Sequence, residues 1–306
     1  MRTNKFVVNS LLASLLLGLA AGASAKDLKV GVSFQNMQNE FIIYMSDALR
    51  AKAKTLGVAL VESDGQGKAE NQVSAVENFI AQKVDAIVLN PYDKEGCAPA
   101  VEKAIAAHIP IVVVNSQVVN IDKANAFVGS DDIDAGKIEM QYIADQIKGK
   151  GDIAIMHGPN GNSAEVQRTQ GNMEILKKYP EIKVVFEQTA NWDRAQALSL
   201  MENWLQTGKQ IDAVVAQNDE MALGASRAVQ AAKKNIPVIG IDAIPDALKG
   251  VKDGKLVATV FQDARGQGAG AIEVAAKLAK GESVPKTTFI PFQLVTKENL
   301  DKFMPK

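Results

Sequence analysis

Short apolar runs alternate with amphipathic stretches along most of the chain. Lys29–Ser33 reads as a strand, and Glu40–Leu56 follows with helical spacing of its apolar positions. Val58–Val61 is a second strand and Asn71–Gln82 a second helix. Ala86–Asn90 and Ile111–Asn115 are two more strands around a helix. The rhythm then restarts, with strands at Asp152–Met156, Lys183–Phe186, Ala213–Ala216 and Val238–Ile241. Helices over Ala164–Tyr179 and Ala195–Thr207 separate the first three of these. Strands written as near-continuous Val/Ile runs are buried on both faces, which is the mark of a parallel sheet covered by helices. The pattern therefore predicts an α/β chain of two similar doubly wound parallel-sheet domains. A single (β/α)₈ barrel is the competing arrangement, because a chain of this length also accommodates eight βα units.

What favours two domains is the chemistry at the strand ends. In open parallel sheets, ligands sit beyond the carboxyl ends of the strands. At those positions this chain carries Asn36 and Asn39, Asn90, Asn115 and Ser116, Trp192, Asn218 and Asp219, Asp242, and Gln262. They come from both halves, as a cleft between domains requires. Amides and carboxylates supply fixed donors and acceptors for hydroxyl groups, and an aromatic ring supplies a flat apolar face. A sugar ring has both kinds of surface.

The first residues alter the picture by setting the compartment. Arg2 and Lys5 precede an apolar run from Leu11 to Ala20, and Ala23-Ser24-Ala25 forms an A-x-A cleavage site. This is the tripartite secretory signal, with cleavage expected after Ala25. The run is about half the roughly 20 residues a spanning helix needs, and no Cys follows to carry a lipid. A soluble periplasmic protein of a Gram-negative bacterium is expected. The chain is 47% hydrophobic and 23% charged, with a net charge of -1 and no Lys/Arg cluster, so a packed core is expected and nucleic acid is not an expected partner. Cys97 is the single cysteine and reads as a buried filler.

Catalytic arrangements find little support. There are two histidines, and no nucleophile elbow accompanies them. His108 stands at a helix end, where a capping role suffices. No metal-ligand spacing or phosphate loop is present, so neither metal nor cofactor is expected. Gly266-Gln267-Gly268-Ala269-Gly270 lies inside a helical pattern, where close helix packing explains it. The carboxylate pairs Asp131-Asp132 and Asp219-Glu220 read as helix N-caps, because neighbours on one helix start do not face a common bond. Trp204 has core spacing. Phe41 has it too, yet it stands in the first turn beside Asn39. Trp192 divides evenly between interdomain packing and stacking on a ligand.

Taken together, Gln217-Asn218-Asp219-Glu220-Met221-Ala222-Leu223-Gly224 and Asp253-Gly254-Lys255-Leu256-Val257-Ala258-Thr259 resemble periplasmic binding proteins of the ribose-binding type, over essentially the whole chain after the signal. The resemblance implies two lobes, 26–129 plus 263–291 and 130–262 plus 292–306, joined by a multi-strand hinge around a ligand cleft. It also implies ligand-binding roles for Asn39, Phe41, Asn115, Ser116, Arg168, Trp192, Asn218, Asp242 and Gln262. Ribose binders carry Asp-Arg where this chain has Asn115-Ser116, and Ile42 replaces a second aromatic. Those departures move the expected ligand from ribose to a cyclitol or other polyol. The segments around Asn160 and Trp192 are similar to the branch that binds inositol and rhizopine. The implied function is the non-catalytic substrate-binding component of an ABC importer, with inner-membrane permease subunits as partners. A chemoreceptor is the alternative partner, and an exported glycoside-processing enzyme the remote alternative.

Overall fold

The computed structural model describes residues 28–304, so the expected export signal lies outside the described residues. The first series runs β1 (Lys29–Phe34), α1 (Glu40–Leu56), β2 (Ala59–Asp64), α2 (Ala69–Ala81), β3 (Ala86–Leu89), α3 (Ala98–Ala106), β4 (Ile111–Asn115) and β5 (Ala126–Gly129). The second runs α4 (Asp132–Gln146), β6 (Lys150–His157), α5 (Ser163–Leu176), β7 (Glu181–Thr189), α6 (Arg194–Gln206), β8 (Ala213–Ala216), α7 (Asp219–Ala231), β9 (Val238–Asp242), α8 (Pro245–Lys252) and β10 (Ala258–Phe261). A long helix, α9 (Ala264–Ala279), and two short strands, β11 (Thr287–Phe289) and β12 (Gln293–Val295), complete the chain.

The strands form two separate open sheets, ordered β11-β5-β4-β3-β1-β2 and β12-β10-β9-β8-β6-β7. That sets aside the barrel and establishes the two doubly wound sheets. All pairings are parallel except β10 with β12. Burial explains the apolar runs, since every residue of β3, β4, β8 and β9 is buried. The strand series expected from the sequence stops at Ile241, and the structure extends it. The strands β5, β10, β11 and β12 hold three or four residues each, and β11 and β12 are mostly exposed, so no buried apolar run marks those two.

The chain passes between the two sheets three times, at 129–132, 261–264 and 289–293. Helix α9 follows a strand of the second sheet yet packs on α1 and against β3, β4 and β5 of the first. Gly268 makes that approach possible. A Cβ there would lie 2.1 Å from the Met45 carbonyl oxygen, so the glycine run serves helix packing. Cys97 is fully buried, its thiol 3.1 Å from Gln72 Oε1. Trp204 is buried and stacks on Phe186. His108 takes a left-handed conformation just beyond α3. None of the helices among the described residues is long and apolar enough to cross a membrane.

A polar cavity between the two sheets

Each parallel sheet points the carboxyl ends of its strands, and the amino ends of the following helices, at the other sheet. Three helix starts meet there, each capped by an asparagine. Asn162 Oδ1 accepts from Ala164 N at 3.0 Å, Asn218 Oδ1 from Met221 N at 3.0 Å, and Asn39 Oδ1 from Ile42 N at a longer 3.4 Å. Capping occupies the oxygen of each amide and leaves its NH₂ group to donate elsewhere; that of Asn162 is already used by the Tyr92 carbonyl at 2.7 Å and Gln35 Oε1 at 3.4 Å.

Together these ends line a cavity with about 310 Å³ of atom-free space, part of it open to solvent. From the first sheet's side come Gln35 after β1, Asn39 and Phe41 at the start of α1, and Asn115 and Ser116 at the end of β4. From the second come Arg168 on α5, Trp192 before α6, Asn218 after β8, Asp242 ending β9, and Gln262 after β10. All nine residues singled out by the resemblance therefore line one cavity. The strand ends alone do not point to Arg168, which the resemblance supplied, and two further polar members, Gln35 and Asn162, were expected from neither. Gln35 directly follows a strand and could have been found on that ground. Asn162 sits in an Asn- and Gly-rich loop, where no periodicity marks which residue turns inward. Asn36 lies outside this cavity, and Asn90 is buried behind it, donating to Asn115 Oδ1 and the Val114 carbonyl.

The backbone is unusual at several of these positions. Asn115, Trp192 and Asp242 have φ values of 66°, 60° and 132°. Such conformations are costly for residues with a Cβ and concentrate at functional sites.

Arg168 is the electrostatic centre, only 3% exposed. Its Nε and Nη2 lie 2.9 and 2.8 Å from Asp132 Oδ1, Nη1 donates to the Gln217 carbonyl, and Nη2 donates to Gln262 Oε1 at 3.0 Å. The guanidinium also sits 5.5 Å from the centre of the Trp192 ring. Gln262 Nε2 has no protein partner although it is buried, and an unsatisfied buried donor costs about 1–3 kcal/mol. Burial pushes the Asp242 carboxyl well above the usual aspartate range; Arg168 opposes this and Asp219 adds to it.

Two N-cap readings need correction. Asp131 does cap α4, but Asp132 is buried against Arg168. Asn218, not Asp219, caps α7. Asp219 is buried beneath the cavity, and Glu220 pairs with Arg194 at 2.5 Å. The misreading has a physical cause: a carboxylate in a first helical turn looks alike in sequence whether it faces water or a distant arginine. Among the described residues no group of three or more His, Cys, Asp or Glu side chains could hold a metal ion. The cavity can pair hydroxyls and cover flat apolar faces.

Comparison with known proteins agrees with this geometry. Residues 30–283 match the family described as periplasmic binding protein domain. The chain belongs to the periplasmic binding protein family. Among members of this family, a putative rhizopine-binding protein of Rhizobium meliloti is 40% identical, covering 99% of each chain. The ribose import binding protein of Bacillus subtilis is 36% identical over 89% of this chain and 88% of its own. A solved structure of an ABC transporter solute-binding protein from Bacillus halodurans, with bound myo-inositol, shares 44% identity and a TM-score of 0.88. It covers 90% of this chain and 97% of that one. Such periplasmic binding proteins are solute binders rather than enzymes, so the glycoside-processing reading falls away.

Proposed function

We propose that the chain is the periplasmic substrate-binding component of an ABC importer for a cyclitol of the inositol type, and more broadly for monosaccharides or polyols. The observation that carries this reading is the pairing, in one small cavity, of an aromatic ring from each side with a wall of amides and buried charge. Phe41 and Trp192 would cover the two apolar faces of a six-membered ring. Arg168, Asn218, Asp242, Asn39 and the free amide of Gln262 would satisfy its rim of hydroxyls. At the end of β4, where ribose binders carry Asp-Arg, the contacts would be the neutral Asn115 and Ser116. Asn115 is itself tied to Gln267 Oε1 at 3.1 Å. A ring with many equivalent equatorial hydroxyls suits neutral amides, whereas ribose would gain from the charged pair that is absent here. Similarity to proteins named for myo-inositol, rhizopine and ribose import supports both the ligand class and the transport role.

Transport would proceed by hinge closure. Residues 26–129 plus 263–291 would move as one lobe and 130–262 plus 292–306 as the other, and the closed form would be read by the permease. A thermal-shift screen over inositols, hexoses, pentoses and linear polyols tests the ligand, because a ligand that binds only the native state raises the melting temperature. The largest rise is expected with an inositol, and Arg168→Ala and Asp242→Ala should each abolish it. A rise with ribose alone contradicts the assignment.

A further inference from the structure

A second cavity adjoins the first and shares Gln35, Asn39 and Trp192 with it. It offers about 1090 Å³ of atom-free space against about 310 Å³ for the first, both partly open to solvent. Both lobes wall it: Gln66 and Tyr92 belong to one side, Asn191 and Gln196 to the other. Seven of its thirteen lining residues are Asn or Gln and none is aliphatic, which argues against an apolar occupant. Its one cationic group is already held by carboxylates, and acidic groups are in excess. Arg194 contacts Glu220 at 2.5 Å and Asp246 at 2.9 Å, and Asp193 caps the Gln196 amide at 2.7 Å. That argues against a phosphate or carboxylate, leaving a neutral, hydroxyl-rich group as the chemistry the wall matches.

Trp192 is the partition between the two spaces, and its loop is built to hold it there. Asn191 and Trp192 are consecutive left-handed residues at φ 56° and 60°. Asn191 is fixed through Nδ2 to Gln196 Oε1 at 2.8 Å and through its backbone N to Thr189 Oγ1 at 3.1 Å. Gly158 lies so close to the indole that a Cβ there would meet Cζ2 at 2.0 Å. Across the gap, Gln66 and Gly67 also have positive φ, 53° and 69°. Strained backbone thus frames the outer space on both lobes, as at ligand-binding elements elsewhere.

We propose that this outer cavity is a second saccharide subsite, so that the protein accepts a ring polyol carrying an O-linked sugar, with Trp192 serving the inner ring and the outer one. The inference rests on the polyol reading of the inner cavity. Isothermal titration with myo-inositol and a panel of mono-O-glucosyl-myo-inositols tests it, using the full-length protein and the Gln66→Gly variant, because Gln66 lines only the outer space. Glycine suits the positive φ at residue 66, so the change removes an amide without adding strain. At least one glucosyl ether should bind the wild type. In the variant its affinity should fall about tenfold, the loss of one or two neutral hydrogen bonds, while myo-inositol stays within about twofold. Binding of myo-inositol but of no glucosyl ether overturns the subsite and leaves the polyol reading intact. Equal losses for both probes overturn it as well, because they place Gln66 in closure rather than recognition. Binding of neither probe overturns the polyol reading and the subsite together.

Discussion

Asp219 has no exposure to water, yet both its oxygens are used. Oδ1 accepts from Thr259 Oγ1 at 2.7 Å and Oδ2 from Ile244 N at 3.0 Å. Burial outweighs those bonds and raises the carboxyl from 3.8 to about 7. The native state therefore holds this proton more tightly than the unfolded chain does. Its destabilising effect is absent below about pH 4 and grows as pH rises through about 7. Urea unfolding of Asp219→Asn should show a smaller loss of stability between about pH 4 and pH 8 than wild type, by up to a few kcal/mol. An identical pH slope in the two proteins would show that Asp219 ionises freely. At this scale the sequence exposed the site's composition well, because side chains after parallel strands have one place to point. It did not expose which carboxylates are buried. The partners of Asp219 lie 25 and 40 residues away, and nothing local reports them.

Among the elements, α5 does two jobs through one turn. Arg168 reaches the cavity from its body, while its entry loop crosses to the other lobe at three successive residues. Gly161 O accepts from Lys94 N at 2.9 Å, Asn162 Nδ2 donates to Tyr92 O at 2.7 Å, and Ser163 Oγ accepts from Gln117 N at 2.6 Å. These bonds join the two sides of the cleft, and of the three residues only Asn162 lines the cavity. Ser163→Ala leaves the Gln117 amide without its cross-lobe acceptor, and so should favour opening. Ligand dissociation in stopped-flow should accelerate about fivefold, as expected for one hydrogen bond, with the association rate nearly unchanged. Dissociation at the wild-type rate would mean the latch carries no closing energy. The helix itself was legible to within a few residues, expected over 164–179 and found over 163–176. The cross-lobe bonding of its entry loop was not, because a loop's partners depend on how the lobes meet.

The same limit operates for the molecule as a whole, where the chain's order and the lobes' composition diverge. The repeated βα rhythm revealed two sheets, yet α9 lies on the first after the chain has completed five strands of the second. Only contacts such as Gly268 against the Met45 carbonyl identify its home. Helix α1 buries Phe41, Ile42, Met45, Ser46, Leu49 and Ala53, and α9 is its principal neighbour. Without α9 that side of the first sheet would face water. Burial of an apolar side chain is worth about 1.5–3 kcal/mol, so losing several exceeds the 5–15 kcal/mol that holds a typical domain together. A fragment of residues 26–129 should therefore melt without a cooperative transition. The same fragment joined through a glycine-rich linker to residues 263–291 should melt cooperatively in calorimetry, because β11 then also completes the sheet beside β5. Cooperative melting of 26–129 alone would contradict the proposed division of the lobes. Failure of the joined fragment alone would mean that the first lobe draws its stability from the second across the three crossings, and that closure is less a movement of independent bodies than of one coupled structure.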